Sequence, residues 1–264
     1  MLLTDELIDR IHRFHVSVLR NFAKTYARIS PDAAGLEVGG GFACFTGEGS
    51  PITQAFGLGH RTAEADLTVL DDFYQGRADN WELGITPFTS PKVVRQAVEM
   101  GYVPAQFETV LAQTATAVEV ETIKGVEIVE VTGDLSQWVR VSEAGWAGRD
   151  ELYEEISELG RLMSAGKNTR RFLATVDGEP AATAGLGHVN GDFIFAGAAT
   201  LPKFRGLGLQ RVLTQRRLAE AGPGSFVQFV ALPGSVSHRN AQRNGFQPLY
   251  CNIQFFRRPP SEDS

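Results

Sequence analysis

Residues 196–213 read AGAATLPKFRGLGLQRVL, and they form a junction between two predicted elements. The small and apolar residues at the start of this stretch are typical of a strand. The segment 207–221 places Leu209, Val212 and Leu213 near one face, which predicts a helix. The loop between strand and helix opens onto the helix N-terminus, where N–H groups lack intrahelical partners and the helix dipole is positive. Such a junction is suited to bind an anion, above all a phosphate.

Two other phosphate-binding patterns fit this loop less well. A dinucleotide-binding loop has a third glycine, which the segment 206–211 lacks. A P-loop has Gly-Lys-Ser/Thr before its helix, and no such triplet follows here. A plain tight turn stays open as an alternative, because Gly-x-Gly junctions between strands and helices are common.

The composition is typical of a globular protein, with 43% hydrophobic and 21% charged residues. The 264 residues are sufficient for one large domain or for two of about 130 residues. The formal net charge of −6 argues against a nucleic-acid partner, since such partners require a basic surface. No run of about 18 apolar residues predicts a membrane span, and the N-terminus is an acidic amphipathic segment rather than a signal peptide. We therefore expect a cytoplasmic protein without a membrane partner.

The cysteines and histidines are interpreted as structural residues. Cys44 and Cys251 lie in strand-like runs, so we expect buried free thiols in a reducing compartment rather than a disulfide. His12 and His15 fall within a predicted amphipathic helix. A role as metal ligands is therefore disfavoured, and no metal site is predicted.

Hydrophobic periodicity and turn residues predict strands and helices throughout the chain. The predicted helices of the first half begin after Thr4, at residue 63 and after Ser90, and its strands cover residues 36–45, 52–58, 81–86 and 106–113. In the second half, strands are predicted at residues 126–131, 170–176, 180–187, 191–199, 225–231 and 246–256. The other helices are predicted at residues 134–144, from Asp150 onward with Ile156 and Met163 on the apolar face, and at 236–244. The predicted fold class is α/β with a mixed sheet.

The two halves of the chain repeat a pattern, which indicates a duplication. Residues 46–60 read TGEGSPITQAFGLGH, and residues 177–188 read DGEPAATAGLGH. Later, GYVP at 101–104 and GFQP at 245–248 each follow a short predicted helix directly. Two matches in the same order are much stronger than one tetrapeptide alone.

The halves differ in length between these matched points. His60 and Tyr102 are 42 positions apart, whereas His188 and Phe246 are 58 positions apart, so the second half has 16 more residues. This is about the length of one strand plus one loop. We therefore predict that the first half lacks the strand and loop of the anion site, and that a single cofactor site lies in the second half. The predicted boundaries are 1–118 for the first half, 119–125 for a linker, 126–258 for the second half and 259–264 for a disordered tail.

The junction also resembles motif A of the GCN5-related N-acetyltransferases, which has the form Arg/Gln-x-x-Gly-x-Gly/Ala. Arg205 and Gly208 match this form. Gln210 stands where the family normally has Gly or Ala, and its side chain is expected to narrow the approach of a pyrophosphate. The segment NAQRNGF at 240–246, followed by PLY at 248–250, resembles motif B of the same family. The chain as a whole is therefore similar to a tandem acetyltransferase with a degenerate N-terminal copy.

This resemblance implies acetyl-CoA as cosubstrate, bound where two parallel strands splay apart. Main-chain N–H groups of residues 207–211 would hold the pyrophosphate, and residues 198–201 would pair with the pantetheine arm. The residues implied for the cofactor are Ala198, Ala199, Thr200, Leu201, Arg205, Gly206, Leu207, Gly208, Leu209, Gln210, Arg211, Ser237 and Asn240. For Ser237 and Asn240, helix capping and packing stay open as alternatives.

The catalytic residues are less clearly implied, because the tyrosine of motif B falls on Ala241 and the asparagine of the family falls on Gly234. Tyr250 is a candidate acid for the leaving thiolate, with a core aromatic as the alternative. His188 is a candidate base, with a structural role shared with His60 as the alternative. Candidates for the acceptor pocket are Glu143, Trp146 and Asp192.

The function that the resemblance implies is transfer of an acetyl group to a primary amine of a small molecule, by direct attack on the thioester, in a monomer or homodimer. A second hypothesis is a non-catalytic acyl-CoA-binding sensor or pseudoenzyme, which Gln210 and the missing tyrosine motivate. A third is another kind of nucleotide-binding domain.

Overall fold

The computed structural model describes residues 1–152, 157–166 and 168–257, and the chain in it forms two compact units. The first unit comprises Met1–Thr109 together with the segment that starts at Leu249, and the second comprises Val110–Pro248. These units differ from the predicted boundaries in three ways. The last strand belongs to the first unit from Leu249 onward, whereas residues 110–118 and the predicted linker at 119–125 belong to the second unit. The predicted tail at 259–264 lies outside the described residues.

The elements follow the predicted order with shifted ends. The first half contains α1 (Asp5–Tyr26), β1 (Ala34–Val38), β2 (Gly41–Phe45), β3 (Gln54–Phe56), α2 (Thr68–Tyr74), β4 (Glu82–Ile85), α3 (Pro91–Glu99) and β5 (Tyr102–Thr114). The second half contains β6 (Val126–Glu130), α4 (Ser136–Ala147), α5 (Glu158–Ala165), β7 (Thr169–Val176), β8 (Glu179–Val189), β9 (Asp192–Thr200), a 3-10 helix (Pro202–Phe204), α6 (Leu209–Ala221), β10 (Phe226–Ala231), α7 (Val236–Arg243) and β11 (Gln247–Arg257).

Three elements differ in extent between the prediction and the structure. The single strand predicted at 36–45 is a hairpin, because Gly39 and Gly40 adopt positive φ angles and reverse the chain between β1 and β2. The helix predicted at 63–74 begins five residues later, at α2. Within the helix predicted from Asp150, the described residues form α5, and Ile156 on its predicted apolar face lies outside the described residues.

In the first unit, the strands lie in the order β1-β2-β3-β4-β11-β5. β3 is parallel to β4, whereas β11 is antiparallel to β4, with Ile253 opposite Ile85 and Phe256 opposite Glu82. This pairing explains why the last strand belongs to the first unit: its main-chain groups bond to β4. Such long-range pairing has no local signal in the sequence.

In the second unit, the strands lie in the order β5-β10-β9-β8-β7-β6. β6 to β9 form an antiparallel series, and the predicted hairpin around Asp177-Gly178 joins β7 and β8. α6 packs with Phe172 and α4 packs with the next residue, Leu173. Because successive residues of a strand point to opposite faces, the two helices cover opposite faces of this sheet.

Among the described residues, the first half has one strand fewer than the second, but the prediction that it lacks the strand of the anion site is wrong. β3 is parallel to β4 in the same way that β9 is parallel to β10. The strand before α2 is therefore present, and the counterpart of β6 is the one that the first half lacks. The predicted repeat aligns the turn at 46–51 with the turn at 177–178. The first of these turns joins β2 and β3, whereas the second joins β7 and β8, so the predicted alignment is displaced by one strand.

Two polar residues of α6, Thr214 and Arg217, are buried although neither belongs to the apolar face predicted from Leu209, Val212 and Leu213. Arg217, expected away from the apolar face, is only 2% exposed. Its guanidinium lies 3.8 Å from the centroid of the Phe195 ring and donates to the carbonyl of Gly185 at 3.3 Å. Stacking and main-chain bonds thus replace water around this cation. Burial lowers the pKa of Arg217 to about 9.

The two cysteines differ in environment. Both are free, as predicted, but only Cys44 is buried, whereas Cys251 is exposed on β11. Burial raises the pKa of the Cys44 thiol to about 12, which makes it a poor nucleophile.

A pair of stacked histidines joins α1 to the loops of the first unit. The rings of His12 and His60 lie 3.8 Å apart, centroid to centroid. His12 shares a 3.0 Å hydrogen bond between its Nε2 and the carbonyl of Gly40, and His60 contacts a carboxylate oxygen of Asp9 at 2.8 Å. Burial, followed by repulsion from His60, lowers the pKa of His12 from 6.5 to about 4. His12 therefore packs as a neutral ring, which agrees with the structural interpretation.

We expect this pair to make the free energy of unfolding depend on pH between about 6.5 and 4. In that window the unfolded chain binds a proton at His12 and the native chain does not, so stability falls as the pH falls. The full shift corresponds to roughly 3 kcal/mol, and partial exposure of His12 reduces the expected loss to roughly 2 kcal/mol. Urea denaturation at several pH values measures this loss. His12→Gln should flatten the curve, and an unchanged curve would contradict the assignment.

Candidate functional site

In the described part of the second unit, β9 is paired with β10 only near its start, and the rest of this edge of β9 is not paired with β10. β9 and β10 pair in parallel at two positions, Phe193 with Val227 and Ile194 with Gln228. Beyond these, β9 runs on to Thr200 and β10 to Ala231 with no further pairing between them in the described chain. Ligands of open α/β sheets bind where parallel strands end and diverge. The predicted splay between these strands is therefore present.

A β-bulge bends β9 at the start of the open segment. Thr183 of β8 pairs with Ala199 and Gly185 with Ala196, so β9 has one extra residue between these pairs. Gly197 has a φ of +57°, and its carbonyl accepts a 3.1 Å hydrogen bond from the hydroxyl of Thr183. Because a bulge adds twist and redirects a strand, it gives a physical cause for the splay.

The glycines that follow β9 shape an open helix N-terminus. Gly206 and Gly208 have φ angles of +84° and +79°, a region that favours glycine. Gly208 is the N-cap of α6, and no side chain of the described residues caps this helix. A Cβ added at Gly206 would meet no atom within 4 Å. The loop thus leaves open space above uncapped N–H groups, which fits a phosphate group.

In the first unit, side chains of Asp66 and Gln96 already bond to main-chain N–H groups at the start of the equivalent helix. Asp66 accepts hydrogen bonds from the Thr68 N–H at 3.0 Å and from Gln96 at 2.6 Å, and Gln96 accepts from the Leu67 N–H at 3.1 Å. The bond from Thr68 is the first cause of the lowered pKa of Asp66, which keeps this carboxylate ionised. A carboxylate therefore already lies at the N-terminus of α2. This supports a single anion site, in the second unit.

The expectation that Gln210 narrows the approach to this loop is wrong. Its side-chain amide turns toward the strands and donates to the carbonyls of Ala199 at 2.8 Å and Thr183 at 3.2 Å. It also lies 3.1 Å from the hydroxyl of Thr200. Gln210 thus fixes the first turn of α6 to β8 and β9.

We predict that Gln210→Ala lowers the free energy of unfolding by about 1–2 kcal/mol, because it removes hydrogen bonds to partly buried carbonyls. The affinity for CoA should change less than about threefold, since the side-chain amide is bonded to β8 and β9. Chemical denaturation and calorimetric titration measure the two quantities. A large gain in affinity would show that Gln210 obstructs the site after all.

Both arginines of the junction have protein partners. Arg205 donates to the carbonyl of Thr200 at 3.3 Å and to the carbonyl of Gly145 at 3.1 Å, which fixes the loop to the end of α4. Arg211 pairs with Glu121 at 2.7 Å. Glu121 lies in the segment predicted as a linker, and nothing in the local sequence pattern reveals this contact.

The end of α4 packs closely on the open segment of β9. A Cβ at Gly145 would lie 3.0 Å from the Cβ of Ala199 and 3.0 Å from the main-chain nitrogen of Thr200. Only glycine permits this approach. The next residue, Trp146, donates its indole N–H to the carbonyl of Ala198 at 3.0 Å, within the bulged stretch. Trp146, one of the three acceptor-pocket candidates, is therefore placed at the splay.

The other two acceptor-pocket candidates are placed differently. Glu143 accepts hydrogen bonds from the main-chain N–H and the hydroxyl of Ser157, and so joins α4 to the start of α5. Asp192 is buried at the beginning of β9, opposite Val189. That position is at the far end of β9 from Thr200.

The predicted cofactor residues after β10 lie on α7. Ser235 is the N-cap of this helix, since its hydroxyl accepts a 3.1 Å hydrogen bond from the His238 N–H. Ser237 therefore does not cap the helix, and it is exposed in the first turn. Asn240 accepts a side-chain hydrogen bond from Arg243 at 3.1 Å. Contact of Ser237 and Asn240 with a cofactor remains a prediction.

The structure places His188 far from the loop and Tyr250 in the first unit. His188 pairs with Phe193 and Thr200 pairs with Ala182, which separates His188 from the end of β9 by about 20 Å along the strand. Tyr250 belongs to the first unit, where its ring contacts Phe88 at 5.1 Å between centroids. Burial raises the pKa of Tyr250 and makes it a weaker acid. The predicted residues that do come together are those of the strand, loop and helix from Ala198 to Arg211.

The described residues contain neither a candidate metal site nor a helix that could cross a membrane. Among residues 1–152, 157–166 and 168–257, no group of three or more His, Cys, Asp or Glu side chains is arranged to hold a metal ion. Within the same ranges, every helix is too short or too polar to cross a membrane.

Comparisons with solved structures identify the fold. A GCN5-related N-acetyltransferase from Kribbella flavida matches over 94% of this chain and 96% of its own, with a TM-score of 0.67 and 16% identity. A protein described as a tandem GNAT from the clavulanic acid biosynthesis pathway, solved without acetyl-CoA, matches over 89% and 86%, with a TM-score of 0.57 and 14% identity. A Drosophila protein matches over 98% of both chains, with a TM-score of 0.55 and 14% identity.

No protein-family model and no curated protein matches the chain. At identities this low, the likeness to solved structures shows the fold alone. The chain therefore has the mixed α/β fold of the GCN5-related N-acetyltransferases, and the fold predicted from motif A is confirmed.

Proposed function

We propose, from the fold that this chain shares with GCN5-related N-acetyltransferases, that it transfers an acetyl group from acetyl-CoA to a primary amine of a small molecule. One observation supports this proposal most: the open edge of β9 leads directly into an uncapped helix N-terminus. A ligand with an amide-bearing arm and a phosphate group matches these two features in that order. One continuous site would therefore bind both the arm and the phosphate group of such a ligand.

The residues of the junction would hold acetyl-CoA as follows. The N–H groups at the start of α6 and the space above Gly206 would receive the pyrophosphate. The main chain of residues 198–201 would bond to the arm, and the small side chains Ala198 and Ala199 permit a close approach. Arg205, held by the carbonyls of Thr200 and Gly145, would add a fixed positive charge.

When bound, acetyl-CoA supplies a thioester whose carbonyl carbon forms a C–N bond with the neutral amine as the C–S bond breaks, while the amine nitrogen loses a proton and the thiolate gains one. The protein then needs to orient the amine and to receive its proton. A main-chain N–H near the bulge is suited to stabilise negative charge on the carbonyl oxygen. At the position of the family's acid tyrosine the chain has Ala241, which is buried, so solvent or another group must protonate the thiolate.

A screen for thiol release from acetyl-CoA tests the proposed reaction. The acceptor panel should include amino acids, polyamines, aminoglycosides, arylalkylamines and peptide amines, with mass spectrometry to identify the acetylated product. Turnover of at least one amine is the expected result. Absence of turnover across the panel would contradict the proposal.

Binding measurements separate the alternatives. CoA at a hundredfold excess over its dissociation constant should stabilise the native chain by about 2.7 kcal/mol. Stabilisation without turnover would favour a non-catalytic acyl-CoA sensor. Stabilisation by ATP or NAD instead of CoA would favour another nucleotide-binding function.

A further inference from the structure

The indole of Trp146 is fixed in place and yet open to solvent. Its N–H donates to the carbonyl of Ala198, and the close contact between Gly145 and β9 fixes the helix that carries it. Even so, Trp146 is 58% exposed, whereas the other two tryptophans, Trp81 and Trp138, are 7% and 1% exposed. A large ring that is held rigidly and left uncovered is typical of a ligand contact, because its apolar surface gains free energy when it is covered.

Other exposed apolar side chains lie at the same edge of the second unit. Leu207 lies in the loop after β9, Leu232 directly follows β10 and Val236 begins α7; they are 46%, 48% and 65% exposed. The C-terminal ends of neighbouring parallel strands meet at one edge of a sheet. Trp146 and these three residues therefore border the splay with apolar surface.

Two of the carboxylates near Trp146 in sequence, Glu143 and Asp150, already bond to main-chain N–H groups. Glu143 accepts from the main-chain N–H of Ser157 at 3.1 Å, and Asp150 accepts from the main-chain N–H of Lys203 at 2.8 Å. A polycationic acceptor requires several free carboxylates around it. The end of α4 instead offers a flat apolar ring whose face attracts both aromatic groups and a single cation.

We propose that Trp146 is a specificity-determining residue that stacks against the acceptor, and that the acceptor is a monoamine with an aromatic or flat apolar group. This inference rests on the proposed acetyl transfer and defines its substrate class. The indole N–H bond to Ala198 holds the ring against the strand along which the acetyl donor would lie. The amine of a stacked acceptor is thereby brought to the open side of the splay.

Steady-state kinetics with 2-phenylethylamine and spermidine test this proposal. In the native protein, kcat/KM is expected to be higher for 2-phenylethylamine. Trp146→Ala should lower it roughly tenfold or more through KM, and Trp146→Phe should retain most of it. The affinity for CoA should stay within about threefold in both variants. Val129→Ala, which removes an exposed apolar side chain on β6, serves as the matched control and should change neither value.

Two outcomes would overturn the specificity role while leaving acetyl transfer intact. One is a preference for spermidine, and the other is an equal loss for all amines in Trp146→Ala. Calorimetric titration of 2-phenylethylamine into the CoA-loaded protein gives a readout that does not need turnover. Binding that is lost in Trp146→Ala and kept in Val129→Ala supports the proposal even if turnover is absent, and binding that is equal in both variants contradicts it.

Discussion

Replacing Gly208 with glutamate is expected to abolish the binding of CoA. Gly208 is the N-cap of α6, and a Cβ here would lie 3.6 Å from Ile123 and 3.9 Å from the guanidinium of Arg211, at the helix N-terminus proposed to hold the pyrophosphate. A carboxylate a few ångströms from a phosphate costs several kcal/mol at the effective dielectric of a protein surface. We therefore expect the dissociation constant to rise roughly a hundredfold or more, as measured by calorimetric titration.

The same substitution at Gly191 is the matched control. Gly191 lies in the turn between β8 and β9, has a φ of +88° and has open space around its Cβ position. Glutamate there carries the same backbone strain, about 1–2 kcal/mol, and the same charge. Equal melting temperatures with unequal CoA affinities would locate the effect at the loop. Retained affinity in Gly208→Glu would refute the site.

The second large effect is expected from Gly145→Leu. Leucine is the better helix former by about 1 kcal/mol, so helix propensity alone favours the variant. The new side chain, however, would collide with β9, because its Cβ would lie only 3.0 Å from the Cβ of Ala199 and from the main-chain nitrogen of Thr200. Overpacking of this kind costs about 1–3 kcal/mol, and it would also displace Trp146 and the carbonyl that binds Arg205. We expect a net loss of stability and a fall in kcat/KM of at least about tenfold.

Ala147→Leu is the control for this variant. Ala147 lies in the same helix but is exposed, so leucine adds the same bulk without meeting β9. Stability and activity should stay near those of the native protein. If Gly145→Leu behaves like Ala147→Leu, the close approach of α4 to β9 has no role in the site.

The parts of the fold that the sequence predicted well are local ones. The junction from Ala198 to Arg211 was found because glycine spacing and helical periodicity are encoded within some twenty residues. The hairpin at Asp177-Gly178 has a local turn signal of the same kind. The split of the strand at 36–45 was missed, since a turn and a bulge both use glycines and the sequence does not separate them.

The features that the sequence did not predict depend on distant contacts. Gln210 was interpreted as an obstruction because its partners are distant in sequence: Ala199 on β9 is 11 residues away and Thr183 on β8 is 27 residues away. Arg217 was placed away from the apolar face of α6, because the helical pattern of the sequence does not show the Phe195 ring on which the guanidinium stacks. The roles suggested for His188 and Tyr250 came from spacing alone, and spacing does not show which end of a strand, or which unit, a residue occupies.

The pairing of β11 with β4 has a consequence for the order of events during synthesis. In the strand order of the first unit, β11 lies between β4 and β5, although it follows every strand of the second unit in the chain. The first unit therefore remains without this strand until the second unit has been synthesised. Until then β4 and β5 each expose an unpaired edge that is prone to aggregation.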